Sequence, residues 1–267
     1  MPAKALLHGS AAELGHAARH ALAGWWGIVR LAALLLDMAL TRSTYRREHW
    51  RILAGHMVQD TAPMLAGFTV LTALISLIVI RIVVVTALSY GLTQYALEMV
   101  VRVLVLELIP LTAALFAALR CTVPNAGEVA ALRVQAAWAD EAAHGHDPLR
   151  REVLPRMLSG VFSALLLAAV SCAVTLVLAY LAVYGPAMSG LEAYTRTVGH
   201  VFNPAVSLIL GMKILFLGIA VALVPMAAVL DDAPIQRRRA STELQGVVRM
   251  FLVILSIEAA SLVGNYY

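Results

Sequence analysis

The sequence predicts an all-α, polytopic membrane protein: five transmembrane helices preceded by an N-terminal amphipathic helix lying in the membrane interface. Three observations carry this. Hydrophobic residues make up 61% of the 267 and charged residues only 13%, with a mean hydropathy of +0.83, too little charge to cover a soluble domain of this length. Apolar runs of about 20 residues recur, the length of a bilayer-crossing helix. The runs are continuous rather than alternating, which argues against a barrel, and lipid leaves helices as the other way to satisfy the backbone.

Met1 to His20 is an Ala- and His-rich leader. In the apolar stretch Ala21 to Leu40, the positions Arg19, Arg30, Asp37 and Thr41 fall within about 60° of one another at 100° per residue, a narrow polar stripe opposite Trp25, Trp26 and the leucines. That pattern favours an interfacial helix over a tilted crossing. The charges inside it, and the absence of a small-residue cleavage site, argue against a signal peptide. Arg42, Arg46, Arg47 and Arg51 then form an anchor. The first span begins after Pro63 and runs to about Ala87, interrupted by Arg81; Ser89 to Gln94 is a turn with Gly91. The second span occupies roughly Tyr95 to Leu119 and leads into a polar segment, residues 121–156, in which Pro124-Asn125 reads as a helix start. The third span, about Met157 to Tyr184, ends at Gly185-Pro186; the fourth runs from about Ala205 to Leu230 and the last from about Leu244 to Val263. Two regions result: residues 1–51, leader and interfacial helix, and residues 52–267, a five-helix transmembrane domain.

The arginines orient the chain. Eleven (Arg42, Arg46, Arg47, Arg51, Arg133, Arg150, Arg151, Arg156 and Arg237 to Arg239) fall in the segments assigned to the inside, against Arg196 alone outside, which predicts five spans with the N-terminus inside and the C-terminus outside. A net charge of +4 placed beside apolar runs fits anionic headgroups and not nucleic acid. Cys121 and Cys172 read as small packing residues. No internal repeat is visible, and five spans make an awkward number for a transporter built from two halves, so a second copy or a paralogue is expected to complete the path as a dimer.

Charges inside spans cost roughly 2.5–3.5 kcal/mol at mid-helix and need a partner or a wet cavity. Lys213 lies about 13 Å and Glu258 about 8 Å from the same membrane face at 1.5 Å per residue, so the two are expected to pair, locking two helices or lining an exit cavity. Arg81 is expected to snorkel outward. Pro110 removes a backbone donor one turn after Glu107, whose carboxylate is expected to satisfy neighbouring groups at a kink, either a hinge or fixed packing. His144-x-His146 beside Asp147 is too small a ligand set for a metal site; Asp147 reads as a cap with Pro148 at the first helical position. No phosphate-binding Gly-rich loop ending in Lys-Ser/Thr occurs, so the chain cannot energise transport alone, and no hydrolase constellation is present.

Three motifs carry a family resemblance: Glu107-Leu108-Ile109-Pro110 through Arg120, Ala126-Gly127-Glu128 through Leu132-Arg133-Val134, and Asp147-Pro148-Leu149-Arg150-Arg151 with Pro155-Arg156. From about Arg46 onward the chain resembles an MlaE/YrbE-type permease, the membrane subunit of MCE-associated ABC lipid transporters, with Lys213 and Glu258 at the places of a Lys and an Asp. It departs from the pattern at Ile109 and Leu119, where the family has Gly, and at Ala136, where it has an acid. The resemblance implies that Asn125 to Asp140 is a coupling helix docking on a separate ABC ATPase, which would hold ATP and Mg, with Glu128, Arg133, Trp138, Asp147 and Arg150 in the coupling segment. It also implies that Arg81, Glu107, Pro110, Lys213 and Glu258 lie along a phospholipid path leading to a periplasmic MCE-domain protein. The alternative expectation is a diverged, non-transporting scaffold or heterodimer partner in the same complex.

Overall fold

The computed structural model describes residues 25–39, 41, 47–134, 148–186, 188–230 and 241–266, and among these every regular element is helical. In chain order they are α1 (residues 25–39), α2 (Arg47–Ser89), α3 (residues 93–134), α4 (Leu149–Tyr184), α5 (Leu191–Val201), α6 (Pro204–Leu230) and α7 (Ser241–Tyr266). Five of them, α2, α3, α4, α6 and α7, are long and apolar enough to cross a membrane. One end of the bundle carries Arg133, Arg150, Arg151 and Arg156; the opposite end carries Ser89, Tyr184 and Asn203.

The helices outrun their expected limits, and proline explains how. The first span was expected to begin after Pro63 and a new helix at Pro124-Asn125. Instead Pro63 lies inside α2, and α3 runs unbroken through both Pro110 and Pro124. Three segments wind as π-helix, Val101–Leu108, Ala118–Thr122 and Leu149–Val153, and each ends two residues before a proline (Pro110, Pro124, Pro155). A proline cannot donate to the carbonyl four residues back and its ring crowds that carbonyl. Winding the preceding turn wider moves the carbonyl aside, so the rod continues where sequence pattern predicts a break. Residues 135–147, the rest of the expected coupling segment, lie outside the described residues.

Elsewhere the ends follow local chemistry. Gly91, at φ +71°, closes α2: Leu92 N–H reaches back to the Ala87 carbonyl and Gly91 N–H to that of Leu88, a left-handed C-terminal cap. Asn203 accepts from the Val206 N–H at 2.8 Å and Pro204 opens α6, the preferred pairing for a helix start. Between α4 and α6 lies α5, which the sequence reading did not separate from a loop. Tyr194 of α5 donates to the Leu176 carbonyl at 2.8 Å and meets Tyr180 edge-on, fastening α5 to α4; burial pushes the Tyr194 phenol up from its ordinary value.

Packing relies on small residues, as expected where lipid removes the hydrophobic drive between helices. α2 and α4 run parallel in close register: Asp60 meets Ser159, Thr61 meets Ser163 and Ser76 meets Thr175, a four-residue rhythm along α4 that continues through buried Phe68 and Leu167. Gly160 lets α4 close on α3 and α6; an added Cβ would come within 2.5 Å of Thr122 Cγ2 and 3.3 Å of Ala222 Cβ. α1 lays Ile28, Leu31 and Leu35, one face at helical spacing, onto a core that includes Ala114, Ala117 and Val221. Arg30 and Asp37 stay exposed on its other side, so the amphipathic reading of this helix holds.

Candidate functional site

Among the described residues, the most heavily buried charge lies where α3, α6 and α7 meet. Lys213, the only ionisable side chain of α6, is 1% exposed. Its ammonium donates to Glu258 Oε1 at 2.8 Å, to the Leu106 carbonyl at 2.9 Å, and to the Glu107 carboxylate. The expected Lys213–Glu258 pair is therefore formed, with Glu107 as a third member. The reading of Glu107 as a group serving the backbone beside Pro110 is corrected: its carboxylate faces across the bundle, accepting from Lys213 and, at 3.3 Å, from Asn265 Nδ2. The backbone consequence of Pro110 is met by the lysine. The carbonyl four residues before Pro110 is that of Leu106, which Pro110 cannot serve, and Lys213 Nζ donates to it.

Local structure makes this convergence possible. The π-wound Val101–Leu108 presents both the Leu106 carbonyl and the Glu107 side chain toward α6. α6 and α7 pack extensively, so residues well inside each helix meet at one depth. On α7 the triad continues as Ser261 and Asn265, which share the Glu258 face at i+3 and i+7.

A second polar node sits toward the arginine-bearing end. Asp60 Oδ2 accepts from Ser159 Oγ at 2.6 Å and Asn125 Nδ2 at 3.1 Å, with Cys121 Sγ at 3.8 Å; Ser159 also lies 3.2 Å from the His56 carbonyl oxygen. Sequence reasoning missed this node. The signal was present as the buried series Ser159, Ser163, Ser171 and Thr175 at multiples of four on α4.

Beside α2 and α3 runs an open groove of about 220 Å³, apolar in character, whose lining includes Phe68, Leu71, Ile75, Leu108, Leu115 and Phe116. Phe68 and Phe116 stack obliquely along it, with centroids 4.8 Å apart. Two of its hydroxyls are occupied, Ser76 with Thr175 and Thr112 with the Leu108 carbonyl.

The coupling residues separate into two groups. Glu128 is 65% exposed, with Arg156 Nε 3.6 Å away, and Arg156 also pairs with Glu152. Arg133 turns inward and donates to the Val229 carbonyl at 2.9 Å, tying α3 to the last turn of α6. Arg150 is half-buried, and Trp138 and Asp147 lie outside the described residues. Arg81 is exposed on α2, about 12 Å from Ser89 at 1.5 Å per residue.

Five helices long and apolar enough to cross a membrane, with a buried ion triad among them and an apolar groove on their flank, define a multi-pass membrane protein. The family follows from its sequence: the model for Permease MlaE matches residues 53–263, and the chain belongs to the MlaE permease family. It is thus a permease subunit of an ABC lipid transporter and not itself the ATPase. Comparison with curated proteins returned no match.

Proposed function

We propose that this permease moves phospholipid between the bacterial inner membrane and a periplasmic MCE-domain protein, driven by a separate ATPase that binds and hydrolyses ATP with Mg. The observation that carries the reading is the apolar groove between α2 and α3 on a chain of this family: it offers acyl chains a lipid-like wall with no unpaired donor among the hydroxyls named above. Two copies, or this chain and a paralogue, face each other across such grooves and enclose the path. The arginine-bearing end lies in the cytoplasm and the end carrying Ser89 and Tyr184 in the periplasm, following the positive-inside bias.

Exposed Glu128 is the coupling contact, and Arg133 supports it by fixing the end of α3 to α6. In the complex reconstituted with ATPase and MCE protein, Glu128→Lys leaves the fold intact and ATP hydrolysis running while lipid transfer falls to background. Wild-type transfer in that variant overturns the coupling reading. A purified complex containing MCE protein but no ATPase favours a scaffold instead. A cysteine placed at exposed Tyr90 reacts with an impermeant thiol reagent from outside intact spheroplasts; protection there reverses the orientation.

A further inference from the structure

The ion triad contains one more carboxylate than it has cations, and its hydrogen bonds show which carboxylate is in surplus. An ammonium has three N–H donors, and those of Lys213 reach Leu106 O, the Glu107 carboxylate and Glu258 Oε1. Glu107 is served at both oxygens, by Lys213 and by Asn265 Nδ2, the environment an ionised carboxylate needs. Glu258 is served at one. Its Oε2 is buried with no hydrogen-bond partner, and so are Ser261 Oγ and Asn265 Oδ1 on the same face of α7. Ser261 as a residue is 8% exposed. An ionised oxygen with no protein donor is a costly arrangement in a membrane interior. Among the described residues no other charge relieves it: Arg102 on α3 is bound to Glu98, Lys213 is already used, and on α7 the nearest other ionisable groups are Arg249 and Tyr266, both more than two turns away.

We propose that Glu258 is a proton-carrying group, holding a proton on Oε2 while Glu107 stays ionised against Lys213, and that Ser261 and Asn265 line the route by which this proton reaches the end of α7. Protonation brings the triad to zero net charge and turns Oε2 from an unserved acceptor into a donor. The two remaining unpartnered atoms then supply what that donor requires. The Oε2–H points to Ser261 Oγ and the Ser261 hydroxyl to Asn265 Oδ1, through a rotamer adjustment or one bridging water each. When the Oε2–H bond breaks, the proton leaves along this face to solvent at the helix end and Glu258 is left as carboxylate. The triad then carries one uncompensated negative charge: Glu258 repels Glu107 on α3 while its pairing with Lys213 on α6 tightens, and its bare Oε2 draws water to that face of α7. Proton release and hydration of this face of α7 are coupled steps.

This inference rests on the triad and not on the lipid reading, so its test uses no transport measurement. Infrared spectra are recorded of the full chain in lipid nanodiscs at neutral pH, in H₂O and D₂O. The wild type shows a protonated-carboxyl C=O band that is lost in Glu258→Gln. Ser261→Ala, which removes the acceptor, moves that band to higher frequency and slows its exchange in D₂O; Glu98→Gln leaves it in place. Absence of any band lost in Glu258→Gln means Glu258 is ionised and overturns the proposal. A band that Ser261→Ala does not move puts the proton elsewhere and overturns it equally.

Discussion

α2 and α7 are the two outlying spans of the bundle. In each, 22% of the most apolar window is buried, against 44–50% for the spans between them. Each is fastened chiefly to one neighbour, α2 to α4 and α7 to α6, but by opposite chemistry. α2 is held by a ladder: neutral hydroxyl pairs at Thr61–Ser163 and Ser76–Thr175, the Asp60–Ser159 bond at one end, and aligned apolar rungs between. α7 is held by an ion triad concentrated at one depth. A ladder distributes its energy over many small contacts, so no single event opens it. The triad depends on charge balance, so a single proton or a single substitution changes all of it. The contrast makes α2 the fixed wall and α7 the helix whose attachment can be switched.

The largest effect should follow removal of the lysine. Lys213→Met strands Glu107 and frees the Leu106 carbonyl, and thermal unfolding in nanodiscs should report a loss of about 3–5 kcal/mol, the range for breaking a buried pair from one side. Loss confined to a few tenths would dissolve the contrast. Next comes Asp60→Ala, which takes the carboxylate acceptor from Ser159 and the Asn125 amide and should cost about 1–3 kcal/mol by the same measurement. Gly160→Val probes pure packing, driving atoms into Thr122 and Ala222 at a cost of about 1–3 kcal/mol, and should be insensitive to pH. The smallest effect belongs to the ladder itself: a double-mutant cycle of Ser76→Ala and Thr175→Val should give a coupling of about 0.6 kcal/mol, the average for hydroxyl bonds between membrane helices. A coupling several times larger would make the ladder, and not the triad, the brittle attachment.

How much of this was legible beforehand varied with the residue. Lys213 and Glu258 could be paired from sequence because both sit inside spans and depth follows from counting along a helix. Glu107 could not be assigned. Its nearest conspicuous neighbour in sequence is Pro110, but its partners are 106 and 158 residues away, and the π-winding before Pro110 alters the direction a side chain takes by counting at 100° per residue. Arg133, expected in the coupling segment, also donates to a carbonyl of α6, a contact that periodicity on α3 cannot reveal. Pro124 read as a helix start because pattern rules treat proline as a boundary, whereas a wide turn ahead of it carries the helix through.

The sequence by itself determined the number of crossings, the apolar character of each and the depth of every intramembrane charge, because transfer into lipid is a property of a segment and its length. The tertiary structure alone decided which side chains face one another: the third member of the triad, the in-register seam of α2 and α4, and the unserved oxygen of Glu258. Those depend on the azimuth of each helix about its axis, which small residues and π-turns set through packing and which composition does not encode.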